Sequence, residues 1–527
     1  SRDMAQRRFP IGIQDFKTLI EDKLVYVDKT ALMHKLVTSR TNAFLGRPRR
    51  FGKSLLCTTM KYYFRGEREL FKGLAIEKLE KDWICRPVLH MALSSGTYTS
   101  VESFTNTLVR VLDLWEKEYG RDTAEVELTD RFAGIMRRAH EKTGQKVAVL
   151  VDEYDKPLLE AMNDPELQEK FRQILKSFYG TMKNSDADIQ FIFLTGVTKF
   201  SKVSVFSDLN NIQDITMSDE YAGICGITKQ ELDDNFGDDI ERLAQQNELT
   251  FDEMKAKLQE TYDGYHFSPC MLDVYNPFSL LQALQNGTLD HYWFASGTPT
   301  FLIRLLKNAN YDLRRLSGIQ TTAARLGDIS EPTNDPIPIL FQSGYLTVKK
   351  YDREFGTFIL DFPNTEVHQG FFNSLIPQYD LRQDIYGEYF NIGSFVMDVR
   401  EGDIDSFLER LKALFANIPY TQATGEERQR IIEQQYQNVV YIVFTLMGFY
   451  TEVEHHTAMG RIDLVVKTPQ HIYVMEFKVG KGTAEEALRQ INEKHYAEPY
   501  MADPRQLHKV GIGFDPATHN MDAWVVE

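Results

Sequence analysis

Short, predominantly apolar runs that alternate with helical patterns constrain the fold of this 527-residue chain more than any other feature. Continuous apolar strands separated by helices are typical of a parallel sheet that is covered by helices on both faces. We therefore predict an α/β domain over 9–215, with four runs as its strands. The runs are Asn42–Leu45, Val88–Leu93, Val147–Val151 and Gln190–Leu194.

The rest of the chain divides into four further segments by pattern. A mostly helical stretch over 216–300 is expected to form a lid on the sheet domain, and 301–365 mixes helix with a hairpin that suits a winged-helix region. A helical connector is expected over 366–425. The segment 426–527 indicates a separate α/β domain, because a long helix precedes two strands that are joined by a polar turn.

The balance of charge limits the partners that this chain can take. Its 60 basic and 76 acidic residues give a formal net charge of −16. Wholesale coating of nucleic acid or of an anionic membrane needs a basic surface, so both functions are disfavoured. Any contact with nucleic acid is therefore expected to be local, in a restricted cleft.

Cysteine usage and hydropathy indicate a cytoplasmic protein. The four cysteines lie far apart and include no Cys-x-x-Cys pair, so neither a structural zinc site nor a disulfide framework is expected. The longest apolar run, Val439–Tyr450, is much shorter than the roughly 20 residues that cross a bilayer. No secretory signal follows the N-terminal arginines, so we expect no membrane contact.

A Gly-Lys-Ser triplet follows the first predicted strand and precedes a predicted helix. In this context backbone N–H groups cradle phosphate oxygens, Lys53 reaches the β and γ phosphates, and the Ser54 hydroxyl ligates Mg²⁺. Arg47 stands where the first glycine of a Walker A pattern belongs. Arg49 and Arg50 are expected to face the nucleotide or a neighbouring subunit of a homo-oligomer, rather than nearby acids. The residues expected to bind ATP along this loop are Arg47, Arg49, Arg50, Phe51, Gly52, Lys53, Ser54 and Leu55.

Two carboxylates end the third predicted strand and give it a Walker B pattern. Asp152 is expected to hold the Mg²⁺, and Glu153 is expected to position or deprotonate the attacking water in phosphoryl transfer. A hydroxyl at the end of the fourth strand, Thr195 or secondly Thr198, lies where such enzymes sense the γ phosphate. The alternatives are solvated acids that cap a strand and hydroxyls that stabilise a turn.

A second group of acids lies on the hairpin predicted in 426–527. If the strands pair around a turn at 468–471, Asp463 lies directly opposite Glu476, and Lys478 shares their face. Opposed carboxylates repel unless a cation lies between them, so the pair predicts a site for Mg²⁺ or Mn²⁺. Lys478 would orient or activate a water at this site. The alternative is a surface hairpin with a cluster of salt bridges.

Six motifs are distributed along the chain. They are Phe9-Pro-Ile-Gly-Ile-Gln-Asp-Phe16, Tyr26-Val-Asp-Lys-Thr30, Arg47-Pro-Arg-Arg-Phe-Gly-Lys-Ser54, Thr195-Gly-Val-Thr-Lys-Phe200, Tyr262-Asp-Gly-Tyr265 and Tyr275-Asn-Pro-Phe278. With these motifs the chain is similar, over nearly its whole length, to bacterial AAA-ATPase-like proteins that carry a C-terminal PD-(D/E)XK nuclease superfamily domain. The resemblance implies an ATP-binding domain related to the STAND-type signalling ATPases, and it implies that Arg47 is a family variation of the phosphate loop.

The nuclease resemblance adds residues to the second site. The spacing Asp-x12-Glu-x-Lys is similar to the PD-(D/E)XK core, in which a metal ion activates water for cleavage of a phosphodiester. In such folds the preceding helix often supplies another acidic ligand, which implies a metal-binding role for Glu433. Gln490 lies with Tyr496 on the following helix, and Gln490 is expected to contact water or phosphate.

Two functions of different classes fit these residues. The first is an enzyme in which an ATP-binding and hydrolysing domain controls a Mg²⁺-dependent nuclease. The alternative is an ATP-driven regulatory switch whose nuclease-like domain only binds nucleic acid or a protein partner. The joint presence of Asp463, Glu476 and Lys478 favours the enzyme, because a domain kept only for binding could lose any of them without losing its fold.

Overall fold

The computed structural model of the protein describes residues 7–199, 212–327, 329, 335–379, 390–418, 421–458, 461–480 and 483–527. The chain divides into two compact units. Unit one contains the described chain up to Ser296 together with Gly318–Val367, and unit two contains Gly297–Ser317 together with His368–Glu527. The chain therefore passes between the units three times, and the segment 301–365 contributes to both.

Helices and strands occur along the whole of the described chain. The helices are α1 (Phe16–Glu21), α2 (Thr30–Thr38), α3 (Lys53–Phe64), α4 (Val101–Tyr119), α5 (Leu128–Thr143), α6 (Lys156–Glu160), α7 (Pro165–Asn184), α8 (Lys229–Gln246), α9 (Phe251–Tyr262), α10 (Pro277–Asn286), α11 (Tyr292–Ala295), α12 (Thr300–Asn308), α13 (Ala323–Leu326), α14 (Ile337–Gln342), α15 (Thr365–Tyr379), α16 (Ile392–Arg400), α17 (Ile404–Phe415), α18 (Gly425–Met447) and α19 (Ala484–Glu493). The strands are β1 (Asn42–Gly46), β2 (Val88–Ala92), β3 (Val147–Asp152), β4 (Ile189–Gly196), β5 (Ile212–Asp214), β6 (Ile227–Thr228), β7 (Val274–Tyr275), β8 (Ile319–Thr322), β9 (Thr347–Asp352), β10 (Thr357–Asp361), β11 (Glu452–Ala458), β12 (Arg461–Lys467), β13 (His471–Val479), β14 (Gln506–Asp515) and β15 (Asn520–Val526). No helix in the described ranges combines the length and the apolar character that crossing a membrane requires.

Unit one is built on a five-stranded parallel sheet with the strand order β2-β3-β4-β1-β5. The four apolar runs form β1 to β4, so the predicted parallel α/β fold is confirmed. Every residue of β3 is buried, as expected for a strand that is covered on both faces. The edge strand β5 was not predicted, because its three residues are partly or fully exposed and carry no apolar run.

The carboxyl ends of β1, β3 and β4 meet at one edge of this sheet. Gly46 pairs with Gly196, and Val151 pairs with Leu194. This order gathers three pieces of chain that the sequence keeps apart: the loop after β1, the acids after β3 and the hydroxyls after β4. Ligand sites of open α/β sheets form at such an edge.

Residues 216–300 are mostly helical, as predicted. Thr228 and Glu231 form a capping box at the start of α8, and Asn276 accepts hydrogen bonds from two N–H groups at the start of α10. Apolar residues at helical spacing on α8 and α9 then build one core cluster. Its members include Phe9, Leu232, Phe236, Ile240, Leu243, Met254, Leu258 and Tyr275.

A three-stranded antiparallel sheet with the order β8-β10-β9 completes unit one. The predicted hairpin is confirmed as β9 and β10, in which Thr357 pairs with Asp352. Asp352 also accepts hydrogen bonds from the N–H groups of Glu354 and Phe355, which fixes the turn.

Unit two contains a mixed sheet with the order β11-β12-β13-β14-β15. All pairs are antiparallel except β13 with β14, which run parallel and are joined through α19. The long helix predicted to precede the two strands of 426–527 is confirmed as α18. The buried Asn438 of α18 accepts from the Leu313 N–H and donates to the Tyr311 carbonyl, so the short segment Gly297–Ser317 is part of this unit's core.

Candidate nucleotide and metal sites

The loop after β1 encloses the side chain of Lys53. Gly52 is the N-cap of α3 with a φ of 96°, a left-handed conformation that favours glycine. The Lys53 ammonium donates to the carbonyl oxygens of Arg47 and Pro48, at 2.8 Å each. Only 5% of Lys53 is exposed, and burial lowers the pKa of its ammonium. A cation held this way, at a helix N-terminus, suits phosphate oxygens.

Ser54 and Asp152 meet below this loop. The Ser54 hydroxyl donates to Asp152 Oδ2 at 2.5 Å. No described residue hydrogen-bonds to the buried Oδ1 of Asp152, and burial raises the pKa of this carboxyl group. A hydroxyl beside a carboxylate with an unsatisfied oxygen is a donor set that Mg²⁺ prefers, so these residues fit the ion.

Glu153 is held in a strained backbone conformation beside them. Its φ is 52°, in the left-handed region that residues other than glycine rarely adopt. Its Oε2 is buried and accepts no hydrogen bond from any described residue. Strain of this kind is concentrated at functional sites.

A cavity of about 320 Å³, the phosphate cavity, opens over these groups. The Arg50 guanidinium lies 4.6 Å from the centre of the Phe278 ring at its wall. An apolar pocket that contains Phe51 adjoins it and shares Gly52 and Leu55 with it. An anionic group and an apolar ring can therefore bind side by side. The phosphate cavity is lined by Pro10, Ile11, Gly12, Ile13, Gln14, Arg49, Arg50, Gly52, Lys53, Ser54, Leu55, Glu153, Pro277, Phe278 and Leu281.

Two predicted nucleotide contacts point elsewhere. The guanidinium of Arg47 is buried, donates to the Thr216 carbonyl at 2.7 Å and lies 4.3 Å from the Phe267 ring centre. The Thr195 hydroxyl donates to the Leu45 carbonyl at 2.8 Å within the sheet. The structure therefore does not bring Arg47 or Thr195 to the phosphate cavity, because their polar groups already bond to the backbone.

Arg49 reaches the rim of the phosphate cavity while it is anchored to unit one. Its guanidinium lies 4.2 Å from the Trp293 ring centre and donates to the Trp293 carbonyl at 2.9 Å. It also donates to the Ser296 hydroxyl at 2.8 Å. Arg49 therefore links the phosphate loop to the segment that follows α10.

Sequence reasoning missed Asp155, which ties the ends of β3 and β4 together. Its buried Oδ2 accepts from the N–H groups of Val197 and Thr198 at 3.0 and 2.7 Å, and from the Thr198 hydroxyl at 2.7 Å. Thr198 therefore stabilises this junction. No local pattern marks Asp155, because its partners lie more than forty residues further along the chain.

The C-terminal hairpin has the predicted register, with Asp463 directly opposite Glu476. Glu476 is fully buried, and neither of its oxygens hydrogen-bonds to a described residue; the same holds for Asp463 Oδ1. Burial, followed by the charge of Asp463, raises the pKa of Glu476 to about 7. Burial also raises the pKa of Asp463.

Arg461, which sequence reasoning missed, lies between these acids and α19. Its Nε is 3.6 Å from Asp463 Oδ2 and 3.6 Å from Glu476 Oε1. Its other nitrogens donate to Gln490 and to the Tyr496 hydroxyl. Arg461 could have been found from its spacing, since residues two apart on a strand share a face. The side chains of Arg461, Asp463, Glu476, Gln490 and Tyr496 are called the hairpin site below.

Two predicted members are placed outside the hairpin site. The Lys478 ammonium donates to Glu486 Oε1 at 2.5 Å. Glu433 on α18 accepts from Gln429, and no three His, Cys, Asp or Glu side chains in the described ranges are close enough to hold one metal ion. The structure therefore brings Asp463, Glu476 and Gln490 together without Glu433.

The donor set of the hairpin site fits a divalent cation. Two opposed carboxylates offer three buried oxygens that accept no hydrogen bond from a described residue. Mg²⁺ and Mn²⁺ prefer such oxygen ligands. A cation between Asp463 and Glu476 would also remove the repulsion between their charges.

Comparisons with known proteins assign different families to the N-terminal and the C-terminal parts of the chain. Residues 10–206 match the family model described as "Predicted AAA-ATPase", and residues 431–524 match that of the PD-(D/E)XK nuclease superfamily. An Azotobacter chroococcum mcd 1 protein, described as an uncharacterized protein in the vnfD 5' region, is 35% identical over 540 residues, which cover 99% of each chain. The chain therefore belongs to the AAA-ATPase-like family, as a member whose C-terminal part is a PD-(D/E)XK nuclease superfamily domain.

Proposed function

We propose that the protein binds and hydrolyses ATP in unit one and cleaves phosphodiester bonds of nucleic acid, with a divalent metal ion, in unit two. The observation that carries the proposal is the pair of opposed carboxylates, three of whose four oxygens are buried without a hydrogen-bond donor among the described residues. Such a pair costs stability in a fold that has no use for it, because each buried charge is desolvated. A bound cation offsets that cost.

The residues of the phosphate cavity have separate tasks in ATP hydrolysis. Lys53, which now donates to two loop carbonyls, would turn its ammonium to the β and γ phosphates. Ser54 and Asp152 would hold Mg²⁺, which neutralises phosphate charge when bound. Glu153, strained and facing the same cavity, would accept a proton from the attacking water.

The residues of the hairpin site would support phosphodiester cleavage. Asp463 and Glu476 would hold the metal ion, which would supply Lewis acidity when bound. Gln490 would bond to a water or to a phosphate oxygen through its amide. Lys478 would reach the reacting groups after it leaves Glu486, from a position in register with Arg461.

A second function, a regulatory switch that binds ATP without cleaving nucleic acid, is favoured by one observation. Two cations near the acids are engaged, because Arg461 bonds to Gln490 and Tyr496 while Lys478 bonds to Glu486. A site in this state can bind a partner without reacting. Direct assay separates the two functions.

The experiment is a cleavage assay with labelled single- and double-stranded DNA and RNA, in Mg²⁺ or Mn²⁺, with and without ATP. We expect Glu476→Ala to lower cleavage by roughly 100-fold or more, because loss of a metal ligand exceeds the 10- to 100-fold effect of losing an outer partner. Glu476→Ala should bind ATP normally, whereas Lys53→Ala should lose ATP binding.

The matched control is Glu452→Ala, which removes an exposed carboxylate from the neighbouring strand β11. Its cleavage should equal that of the wild type. Cleavage that survives Glu476→Ala contradicts the metal-site assignment. Absence of cleavage in all conditions, with ATP still bound, supports the regulatory switch instead.

A further inference from the structure

The hydrogen bonds of Arg461 leave the acids beside it unsatisfied. Its Nη1 donates to Gln490 Oε1 and its Nη2 donates to the Tyr496 hydroxyl, at 3.1 Å each. The 3.6 Å that separates its Nε from one oxygen of each acid is beyond hydrogen-bond length. The guanidinium therefore offsets part of the negative charge of Asp463 and Glu476, while its Nη1 and Nη2 groups bond elsewhere.

An arginine that serves only as a structural partner shows a different geometry in the same unit. Arg505 donates to Asp503 through Nε at 3.0 Å and through Nη2 at 2.8 Å. A two-point pair of this kind satisfies both partners. Arg461 makes no such pair with Asp463 or Glu476, so the oxygens of these acids stay available to another cation.

A divalent cation and the Arg461 guanidinium cannot share the space between the acids. Carboxylate oxygens hold Mg²⁺ at about 2.1 Å, and the guanidinium already contacts one oxygen of each acid. Positive charges this close repel strongly where the effective dielectric is low. Entry of the metal ion must therefore move the guanidinium.

The exposure of the side chains indicates where it moves. The exposed fraction is 23% for Arg461, 16% for Asp463 and 0% for Glu476, so the arginine lies on the solvent side of the pair. Gln490 and Tyr496 hold it from α19 and from the segment after that helix. These two anchors can keep the guanidinium beside the metal ion, at the side from which a substrate arrives.

We propose that Arg461 is a displaceable internal cation that also positions substrate. It offsets part of the negative charge of Asp463 and Glu476 in the metal-free chain, gives way to the divalent ion, and then binds a phosphate group of the nucleic acid while Gln490 and Tyr496 hold it. Arginine suits this second task, because its planar fork matches phosphate oxygens. The inference rests on the proposed metal-dependent function.

The test is a titration of the full nucleotide-free chain with Mn²⁺. Binding is measured by the loss of the electron paramagnetic resonance signal of the free ion. The Mn²⁺ binding of Glu476→Ala is subtracted from that of the other proteins, so that the difference reports binding at the hairpin site alone. We expect Arg461→Gln to bind Mn²⁺ at least tenfold more tightly than the wild type, because it removes the competing cation. Arg505→Gln, which breaks an ordinary pair in the same unit, should leave the affinity unchanged.

A second measurement reports the substrate role. At saturating Mn²⁺, Arg461→Gln should raise KM for the cleaved oligonucleotide about tenfold, although its metal site is filled more readily than in the wild type. A variant that binds metal more tightly and substrate more weakly supports the inference. A merely structural role for Arg461 would weaken both.

Three results would overturn it. Equal or weaker Mn²⁺ binding by Arg461→Gln contradicts the inference alone, and the proposed function stands. Identical titrations of the wild type and Glu476→Ala contradict both, because the hairpin then holds no metal. If Arg461→Gln does not fold, Arg461→Lys replaces it in the titration. A single lysine ammonium cannot bond to Gln490 and Tyr496 and also reach the acids, so the Mn²⁺ affinity of this variant should differ from that of the wild type. An unchanged Mn²⁺ affinity of Arg461→Lys therefore also contradicts the inference.

Discussion

Burial determines the chemistry of three carboxyl groups in this protein. Burial raises the pKa of Asp152, Glu366 and Glu476 above the ordinary range for each residue type. Asp152 is partly satisfied by Ser54, and Glu366 is surrounded by donors, whereas Glu476 has no donor among the described residues. Of these three groups, Glu476 is therefore the one whose energy an added cation should change most.

Glu366 lies inside unit one, where it bonds to Trp293, the residue that anchors Arg49 at the rim of the phosphate cavity. Its carboxyl group accepts from the Ser279 hydroxyl at 2.8 Å and from the Trp293 N–H at 3.0 Å. Burial nevertheless dominates and raises its pKa to about 7. The unfolded chain has the ordinary value of 4.5, so the folded state holds the proton more tightly.

This difference predicts a pH dependence of the stability of unit one. The contribution of Glu366 is fully present below pH 4.5 and is lost as the pH rises to about 7. The loss is on the order of 3 kcal/mol, at 1.36 kcal/mol per pKa unit. Relative to wild type, Glu366→Gln should therefore gain stability by this amount over that range.

Urea denaturation at a series of pH values measures the effect. Glu354→Gln, an exposed position in the same unit, is the control and should follow the wild type. Parallel curves for the wild type and Glu366→Gln would show that Glu366 does not titrate between these values.

The reach of sequence reasoning differs between side chains that bond locally and those that do not. Lys53 and Ser54 follow from a contiguous motif, and the structure gathers them with Glu153 at one cavity. Arg47 belongs to the same motif, but Thr216 and Phe267 bind its guanidinium from distant parts of the chain. A long side chain can turn to partners that the sequence does not place, so its direction could not be predicted.

Among the secondary-structure elements, the C-terminal hairpin was the most predictable. The face of each residue follows from the turn, because side chains alternate along a strand and the turn fixes which residues pair. The pairing of Lys467 with Ile472 therefore brings Asp463 opposite Glu476. The position of Glu433 could not be derived in this way, because a helix can pack on a sheet in many rotations.

The helix α19 approaches the sheet through a glycine. Gly511 of β14 pairs with Glu476, and a Cβ atom at Gly511 would lie 2.3 Å from the Ala484 carbonyl oxygen and 2.6 Å from the Leu488 backbone nitrogen. Both atoms belong to the backbone of α19 and cannot turn aside. This close contact fixes the distance between α19 and the sheet, and therefore the distance of Gln490 from Asp463 and Glu476.

Gly511→Ala should therefore displace α19. We expect a loss of about 1–3 kcal/mol in the stability of unit two, which is usual for overpacking, and a fall in cleavage because Gln490 moves away from Arg461. Denaturation and the cleavage assay measure the two effects. Gly180→Ala is the control, because a Cβ atom at that position of α7 meets no atom within 4 Å and alanine favours helix. Unchanged cleavage in Gly511→Ala would show that α19 does not position the site.

At the scale of the whole molecule, each unit has its own proposed ligand. A ligand that binds only the folded form stabilises it by about 2.7 kcal/mol at 100 times its Kd. We expect two thermal unfolding transitions, one for each unit. Mg-ATP should raise the midpoint temperature of the transition of unit one, and Mn²⁺ should raise that of unit two. Lys53→Ala should lose the first shift, and Glu476→Ala the second.

Tryptophan fluorescence can assign the transitions. Of the four tryptophans, Trp524 lies in unit two and donates to Asp405. Trp524→Phe should therefore remove the signal of the transition that Mn²⁺ shifts. A single transition that both ligands raise together would contradict independent units.

The division into units was the feature least accessible from sequence. Apolar patterns predict elements, but Asn438 of α18 bonds to residues 311 and 313, more than a hundred positions earlier. No local signal marks Gly297–Ser317 as a part of unit two. Pattern-based segments therefore follow the order of the chain, whereas the units are defined by contacts.

The interleaved course of the chain has a consequence for inheritance. A single recombination event exchanges everything on one side of a breakpoint, and a breakpoint anywhere between Ser296 and His368 would separate one unit from part of itself. Neither unit can then be transferred as a cassette by one crossover in this region. The match of the Azotobacter relative over 99% of both chains is what descent as an undivided gene would produce.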